Sequence, residues 1–242
     1  MRPQILKVMA KTKKKEEDQD FGLLENPDAL ASKAEEFFNK KQNQNILYGV
    51  LTAIILIVGG VTFFEFQQST QNEEAQQEMF QAIYYFEADS LGAALNGDGN
   101  NYGFLDIMEE YSGTAAANIA SYYAGTCYLK LGDYESAIRN FDNFSSSDYL
   151  VQARAYSLVG DCYMELDQFA DAVDAYEKAI AYKPNKEFTP IYLKKLAIAE
   201  EQRGNFDAAA DAYEKINEDF QGSRLQQEAE KQAARLKGLS LN

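Results

Sequence analysis

Residues 160–184 read GDCYMELDQFADAVDAYEKAIAYKP. Gly160, Tyr163, Phe169, Ala172, Tyr176, Ala179 and Pro184 succeed one another at intervals of 3, 6, 3, 4, 3 and 5. The run is rich in helix formers, yet one amphipathic helix needs neither a glycine at its start nor paired alanines on one face. Two helices that must approach closely need both, with aromatic rings to fill the space between them. Proline ends such a unit because it cannot continue the hydrogen-bond ladder.

The pattern recurs. Thirty-five residues upstream, Gly125, Tyr128, Tyr134, Ala137 and Phe141 take the places of Gly160, Tyr163, Phe169, Ala172 and Tyr176. Thirty-seven residues downstream of the opening stretch, Ala197, Phe206, Ala209, Tyr213 and Ile216 match more loosely. The turns correspond as LGDY (131–134), LDQF (166–169) and RGNF (203–206). A period near 34 with these residue types resembles the tetratricopeptide repeat, a helix-turn-helix unit that stacks into a solenoid.

A second match, IMEEYSGT (107–114) against INEDFQGS (216–223), extends the array at both ends. It predicts a degenerate N-terminal repeat whose first helix covers about 71–95. SRLQQEAEKQAARLKG (223–238) then forms a solvated capping helix, as stacked repeats require a polar end. The fold class expected is all-α: one transmembrane helix, then a helix-hairpin solenoid of three clear repeats, one degenerate repeat and a cap.

The membrane helix is read from ILYGVLTAIILIVGGVTFF (46–64), 19 residues without a charge. At ~1.5 Å per residue such a helix spans about the hydrocarbon core of a bilayer. Basic residues set its orientation. Lys33, Lys40 and Lys41 precede the span, with Lys11, Lys13, Lys14 and Lys15 further upstream, and no Lys or Arg occurs again before Lys130. By the positive-inside rule the N-terminus is expected in the cytoplasm and the bulk of the chain outside it. FFEFQQSTQ after the span offers no small-x-small cleavage site, so it reads as an uncleaved anchor. Met9 opens MAKTKKK and is an alternative start. The expected divisions are a cytoplasmic tail (1–45), the membrane helix (46–66) and an extracytoplasmic repeat domain (67–242).

Within the tail, Asn26 suits an N-cap, with Pro27 at the first helical position and Asp28 at the positive dipole end. Leu30, Ala34, Phe37 and Phe38 then share a face, giving either a separate amphipathic helix or an extension of the membrane helix. Gly49 and Ala53 form a small-xxx-small pair, which allows close helix approach but is also common in membrane helices generally.

Composition excludes several function classes. The chain has 242 residues, a net charge of -15 and no histidine. Without histidine it lacks the commonest general base near neutral pH and the commonest metal ligand. The acidic balance argues against nucleic acid and against broad contact with anionic lipid. Residues 1–45 are net +1, so the negative charge lies in the later part of the chain. No nucleophile with a base, phosphate loop or metal set is legible, so the reading is non-enzymatic, with no cofactor and no metal.

Two constellations bear on chemistry. Asp98, Asn100, Gly103, Asp106 and Glu109 fall at positions 1, 3, 6, 9 and 12 of a calcium-loop pattern. Position 5 is Tyr102, and Phe104 and Ile107 are required as apolar helix positions, so NGDGNN (96–101) reads as the turn between two helices. Cys127 and Cys162 occupy equivalent places in adjacent repeats, where parallel helices stand too far apart for a disulfide. They are expected as buried, unbridged thiols.

In the tetratricopeptide family the first helix of each repeat lines the concave groove. Carried over by position, the groove holds Ile119, Tyr122, Thr126, Leu129, Arg154, Ser157, Asp161, Met164, Ile191, Lys194 and Ile198. Tyr122 and Thr126 stand where a lysine and an asparagine would clamp a partner's terminal carboxylate, so an apolar, aromatic groove for hydrophobic or extended segments is expected instead.

The tail, single membrane helix and extracytoplasmic repeats together resemble the YfgM-like ancillary subunits of the Sec protein-translocation channel. The most family-like segments are ENPDALASKAEEFF (25–38), the anchor and GTAAANIASYYAGTCYLKLGDYESAI (113–138). The resemblance implies a bacterial inner-membrane protein beside the Sec translocon, with a periplasmic domain. Its implied partners are Sec subunits and a chaperone of the peptidyl-prolyl isomerase type, with membrane lipid around the single helix and no nucleic acid. An adaptor of another envelope assembly or secretion machine is the alternative.

Overall fold

The structure is a computed structural model that describes residues 40–240 and, before them, Asp28, Ala31, Ser32 and Glu35. The amphipathic segment expected over Asn26–Phe38 therefore lies largely outside the described residues. The chain divides into two compact units between Phe66 and Gln67.

Helix α1 (Lys41–Glu87) contributes to both units because nothing between the apolar run and Glu87 breaks a helix. In the first unit its apolar side chains from Tyr48 onward are exposed. Ile55 is 69% exposed, Leu56 70% and Phe66 72%. The hydroxyls of Thr52 and Thr62 donate back to the carbonyls of Tyr48 and Val58, so neither needs water. Among the described residues one helix is long and apolar enough to cross a membrane, and its apolar window is wholly unburied.

The second unit is a row of antiparallel helices, each packed on the next: α2 (Leu91–Asn96), α3 (Phe104–Glu110), α4 (Ala115–Leu131), α5 (Tyr134–Asn143), α6 (Tyr149–Glu165), α7 (Phe169–Ala181), α8 (Thr189–Gln202), α9 (Phe206–Asp219) and α10 (Gln226–Ser240). Hairpins α4–α5, α6–α7 and α8–α9 are the three clear repeats, and α10 closes the row. Ala229, Ala233 and Leu236 of α10 face inward while most of its other residues stay wet.

The degenerate repeat differs from expectation. Its first helix ends at Glu87, not near 95, and Leu91–Asn96 forms a separate short helix. The break falls at Ala88–Ser90, where Asp89 adopts a φ of 56°. That left-handed residue returns the amide of Ser90 to the carbonyl of Tyr85 and ends the helix.

Close approach within hairpins follows from the repeated glycines. A methyl on Gly125 would lie 2.9 Å from the Phe141 ring, and one on Gly160 2.5 Å from the Tyr176 ring. Ala137, Ala172 and Ala209 are fully buried on the opposing helices. Tyr128 and Tyr163 each pack against two neighbouring core clusters and so join adjacent hairpins. Caps fix where the helices begin: Thr114, Asp133 and Asp148 accept bonds from Ala117, Ser136 and both Leu150 and Val151.

NGDGNN is a self-contained turn. The Asp98 carboxylate accepts the amides of Asn100 and Asn101 and the Tyr85 hydroxyl, which hold it far below the ordinary carboxylate range. Phe104 and Ile107 are fully buried. Cys127 and Cys162 are buried and unbridged.

Candidate functional site

Helices α4 and α6 present residues at intervals of three and four on one stripe each, Ile119–Tyr122–Thr126–Leu129 and Arg154–Ser157–Asp161–Met164. The structure does not make one uniform groove of them. It makes two hollows of different character, one mainly apolar and one mixed.

The first hollow, about 550 Å³, brings together Ile119, Tyr122 and Arg154 from the expected set. Tyr123, Phe144, Leu150 and Val151 complete its walls. Ile119 is 42% exposed, whereas Tyr122 is half-buried and packs edge-on against Phe141 and tilted against Phe144. Burial pushes the Tyr122 phenol above its ordinary value, with the nearby Arg154 guanidinium opposing the shift.

The rim of this hollow is the α5–α6 loop, which its neighbours hold in shape. Asn118 grips the backbone of Ser145 with both ends of its amide, each bond 2.9 Å. Ser146 donates to Gln152 and accepts from the Tyr182 hydroxyl at 2.7 Å, while Lys183 reaches the Ser147 carbonyl at 2.7 Å. A loop tied at four points holds Phe144 in place, and Leu150 and Val151 follow it in the first turn of α6.

The second hollow, about 450 Å³, brings together Leu129, Asp161, Met164 and Ile198. A polar cluster sits among its apolar side chains. Lys195 donates to both Asp161 oxygens at 2.8 and 2.6 Å and to the Ser157 hydroxyl at 3.0 Å. The Tyr176 hydroxyl donates to the same carboxylate at 2.7 Å. Burial, then the Asp161 charge, pushes the Tyr176 phenol far up, so it stays a neutral donor.

The remaining expected residues do not open on either hollow. Ser157 is 2% exposed and serves as an anchor for Lys195. The Thr126 hydroxyl turns back to the Tyr122 carbonyl, and Lys194 pairs with Glu228 at 2.7 Å. Ile191 lines neither hollow. The expected apolar groove is thus mixed at one end, where the Lys195–Asp161 pair stands beside Leu129, Met164 and Ile198.

Sequence reasoning missed Tyr123, Phe144, Leu150, Val151 and Lys195. Phe144, Leu150 and Val151 lie in or beside a loop whose shape depends on long-range ties. Lys195 left no positional signal, since the residue one repeat of 37 on from Asp161 is Ile198 and Lys195 falls at the place of Leu158.

The buried thiols offer no reactivity. Burial raises Cys127 to about 11, and burial with the nearby Asp161 charge raises Cys162 to about 12. Both remain protonated near neutral pH. Among the described residues no three acidic or thiol side chains are gathered to hold a metal ion.

Residues 120–147 and 151–216 each match a tetratricopeptide repeat family model. Among curated proteins none gives a significant match. Among solved structures, a candidate kinesin light chain of Podosopora anserina with nearly identical TPR-like repeats superposes with a TM-score of 0.51. It is 14% identical over 69% of this chain and 95% of its own. A second crystal structure of that protein gives 0.50 at 13% identity, over 70% and 97%. A MamA RS-1 double mutant gives 0.49 at 19% identity, over 71% and 92%. The likeness is one of fold: an all-helical tetratricopeptide solenoid, a scaffold type that works as a protein-interaction module.

Proposed function

We propose that this protein is a non-enzymatic, membrane-anchored ancillary subunit of the Sec translocon, which holds a periplasmic chaperone or emerging client near the channel. The observation that carries the reading is a bare apolar helix joined in sequence to an interaction scaffold that offers a shaped apolar hollow. Exposed apolar side chains from Tyr48 to Phe64 are stable only in lipid or against another apolar surface. Anchoring raises the local concentration of a weakly held partner, so a small contact suffices. The Sec assignment rests on the resemblance to YfgM-like subunits, and the N-in orientation on the absence of basic residues between Lys41 and Lys130.

Affinity purification of the tagged full-length protein from native membranes in gentle detergent tests the assignment. Sec channel subunits and a soluble peptidyl-prolyl isomerase-type chaperone are expected among its companions. Ile119→Asp, which places charge on an exposed wall of the apolar hollow, releases the soluble partner and retains the channel. A complex without any channel component transfers the reading to another envelope machine. Protease added to spheroplasts is expected to digest the repeat unit and spare residues 1–45; the reverse pattern refutes the orientation.

A further inference from the structure

The apolar hollow has a charge character that specifies its occupant further, and this inference rests on the partner-holding reading above. The chain carries 38 acidic residues, yet none lines this hollow. Its one formally charged lining residue is Arg154, which is exposed and has no ion-pair partner among the described residues. The second hollow differs: there Lys195 is already engaged by Asp161.

A guanidinium without a carboxylate, set at an apolar wall of Ile119, Tyr122, Leu150 and Val151, is complementary to an apolar group with a negative charge beside it. Guanidinium and carboxylate pair through two parallel hydrogen bonds, which fixes orientation as well as charge.

We propose that the hollow takes a bulky apolar side chain from an extended partner segment, together with the Asp or Glu carboxylate next to it, which Arg154 holds. The apolar group supplies most of the contact. The carboxylate supplies selectivity, because a neutral amide in its place leaves the guanidinium without a charge partner.

Fluorescence anisotropy of the full-length protein in detergent, at low salt, tests this with labelled ten-residue peptides blocked at both ends. One carries a central Phe-Glu pair, and the other Phe-Gln. The Phe-Glu peptide is expected to bind about tenfold tighter. Arg154→Gln removes that difference and leaves Phe-Gln binding unchanged, while Arg154→Lys keeps part of it. A thermal melt of each variant confirms that the fold is intact, as an exposed position allows. Equal binding of both peptides by the wild type overturns this inference alone. So does a preference that survives in Arg154→Gln, or a peptide with a free C-terminal Phe that outbinds the blocked Phe-Glu peptide. Failure of the wild type to bind either peptide overturns the groove reading as well. Translocon companionship is decided separately by the purification above.

Discussion

Hairpins α4–α5 and α6–α7 close around a glycine that meets an aromatic ring; hairpin α8–α9 closes around an alanine. Ala197 takes the place of Gly125 and Gly160 and is fully buried in the same cluster as Tyr213. Where the first two hairpins carry Tyr128 and Tyr163, the third carries Glu200, only 8% exposed. The connection before α8 differs as well. Asn185 accepts the amides of Glu187 and Phe188, and Thr189 accepts that of Asn185, so an extra turn precedes the helix. The repeat thus tolerates a change of both residues at its tightest point when the entry to the helix changes with them.

The largest effect expected from disturbing that comparison is at Gly160. In an open helix Gly→Ala stabilises by about 1 kcal/mol. Here the new methyl meets a ring at 2.5 Å, and that ring cannot swing because its hydroxyl is held by Asp161. Gly160→Ala is expected to lower stability by about 2 kcal/mol net, in the range of core overpacking. Gly125→Ala costs about 1 kcal/mol, because its contact is 2.9 Å and Phe141 carries no hydroxyl to pin it. Urea unfolding of the detergent-solubilised chain, followed by helical circular dichroism, measures both. A stabilised Gly160→Ala variant removes the close-approach argument.

Next in size is the buried carboxylate of the third hairpin. Glu200 is neutralised by Arg203 at 3.1 Å and hydrogen-bonded by Asn205 at 2.8 Å. Arg203→Ala leaves a nearly buried charge with an amide alone and is expected to cost about 1–2 kcal/mol. The same change at Lys130, whose partner Asp89 is 75% exposed, is expected to cost well under 1 kcal/mol. Equal costs would mean that Glu200 is better solvated than its burial implies.

Tyr176 and Phe141 hold the same place, but the position of Asp161, which accepts from the Tyr176 hydroxyl, is Thr126 in the earlier repeat. Tyr176→Phe removes one hydrogen bond to a charged acceptor and is expected to cost about 1 kcal/mol. It also changes the alkaline limb. A phenol or thiol whose pKa is raised by folding contributes stability below its unfolded value, and loses that contribution as pH rises through the folded one. For Cys127 and Cys162 the unfolded value is 9.0 and the folded values are about 11 and about 12. Stability should therefore decline from near pH 9 to 12. Tyr176→Phe should soften the loss above pH 10, where an unfolded phenol begins to ionise. Thiol labelling at pH 8 should stay absent until the chain unfolds.

The hairpins were legible in the sequence because they depend on local intervals: glycine to ring in the first two, and alanine to ring in all three. The break at Asp89 was not, since a non-glycine residue in the left-handed region leaves little trace in composition. The hollow at Arg154 was half legible. Its helix residues follow from repeat position, but its far wall stands on a loop that Asn118, Gln152, Tyr182 and Lys183 hold from 6 to 36 residues away. The polar end was misjudged because position alone named Asp161 and passed over Lys195, whose place on the stripe moved with the extra turn before α8.

The smallest effect is expected where all three hairpins agree in shape and one disagrees in residue. After α4, α6 and α8 the chain turns through a left-handed residue: Gly132 at φ 79°, Asp167 at 56° and Gly204 at 79°. The bonding is the same each time. The left-handed residue's amide returns to Leu129, Met164 or Glu201, and the next amide to Tyr128, Tyr163 or Glu200. This is the glycine-favouring helix stop of the Schellman type. Aspartate tolerates it better than most side chains, but its Cβ still meets the carbonyl crowding that costs roughly 1 kcal/mol there. Glycine removes that strain and gives back part of the gain through its freer unfolded chain. Asp167→Gly should therefore stabilise by about 0.5 kcal/mol, and Gly132→Asp should destabilise by a similar amount. At this size the pair is read best as opposite shifts of one or two degrees in melting temperature. Shifts of the same sign would show that Asp167 contributes through its carboxylate and not merely through a tolerated backbone.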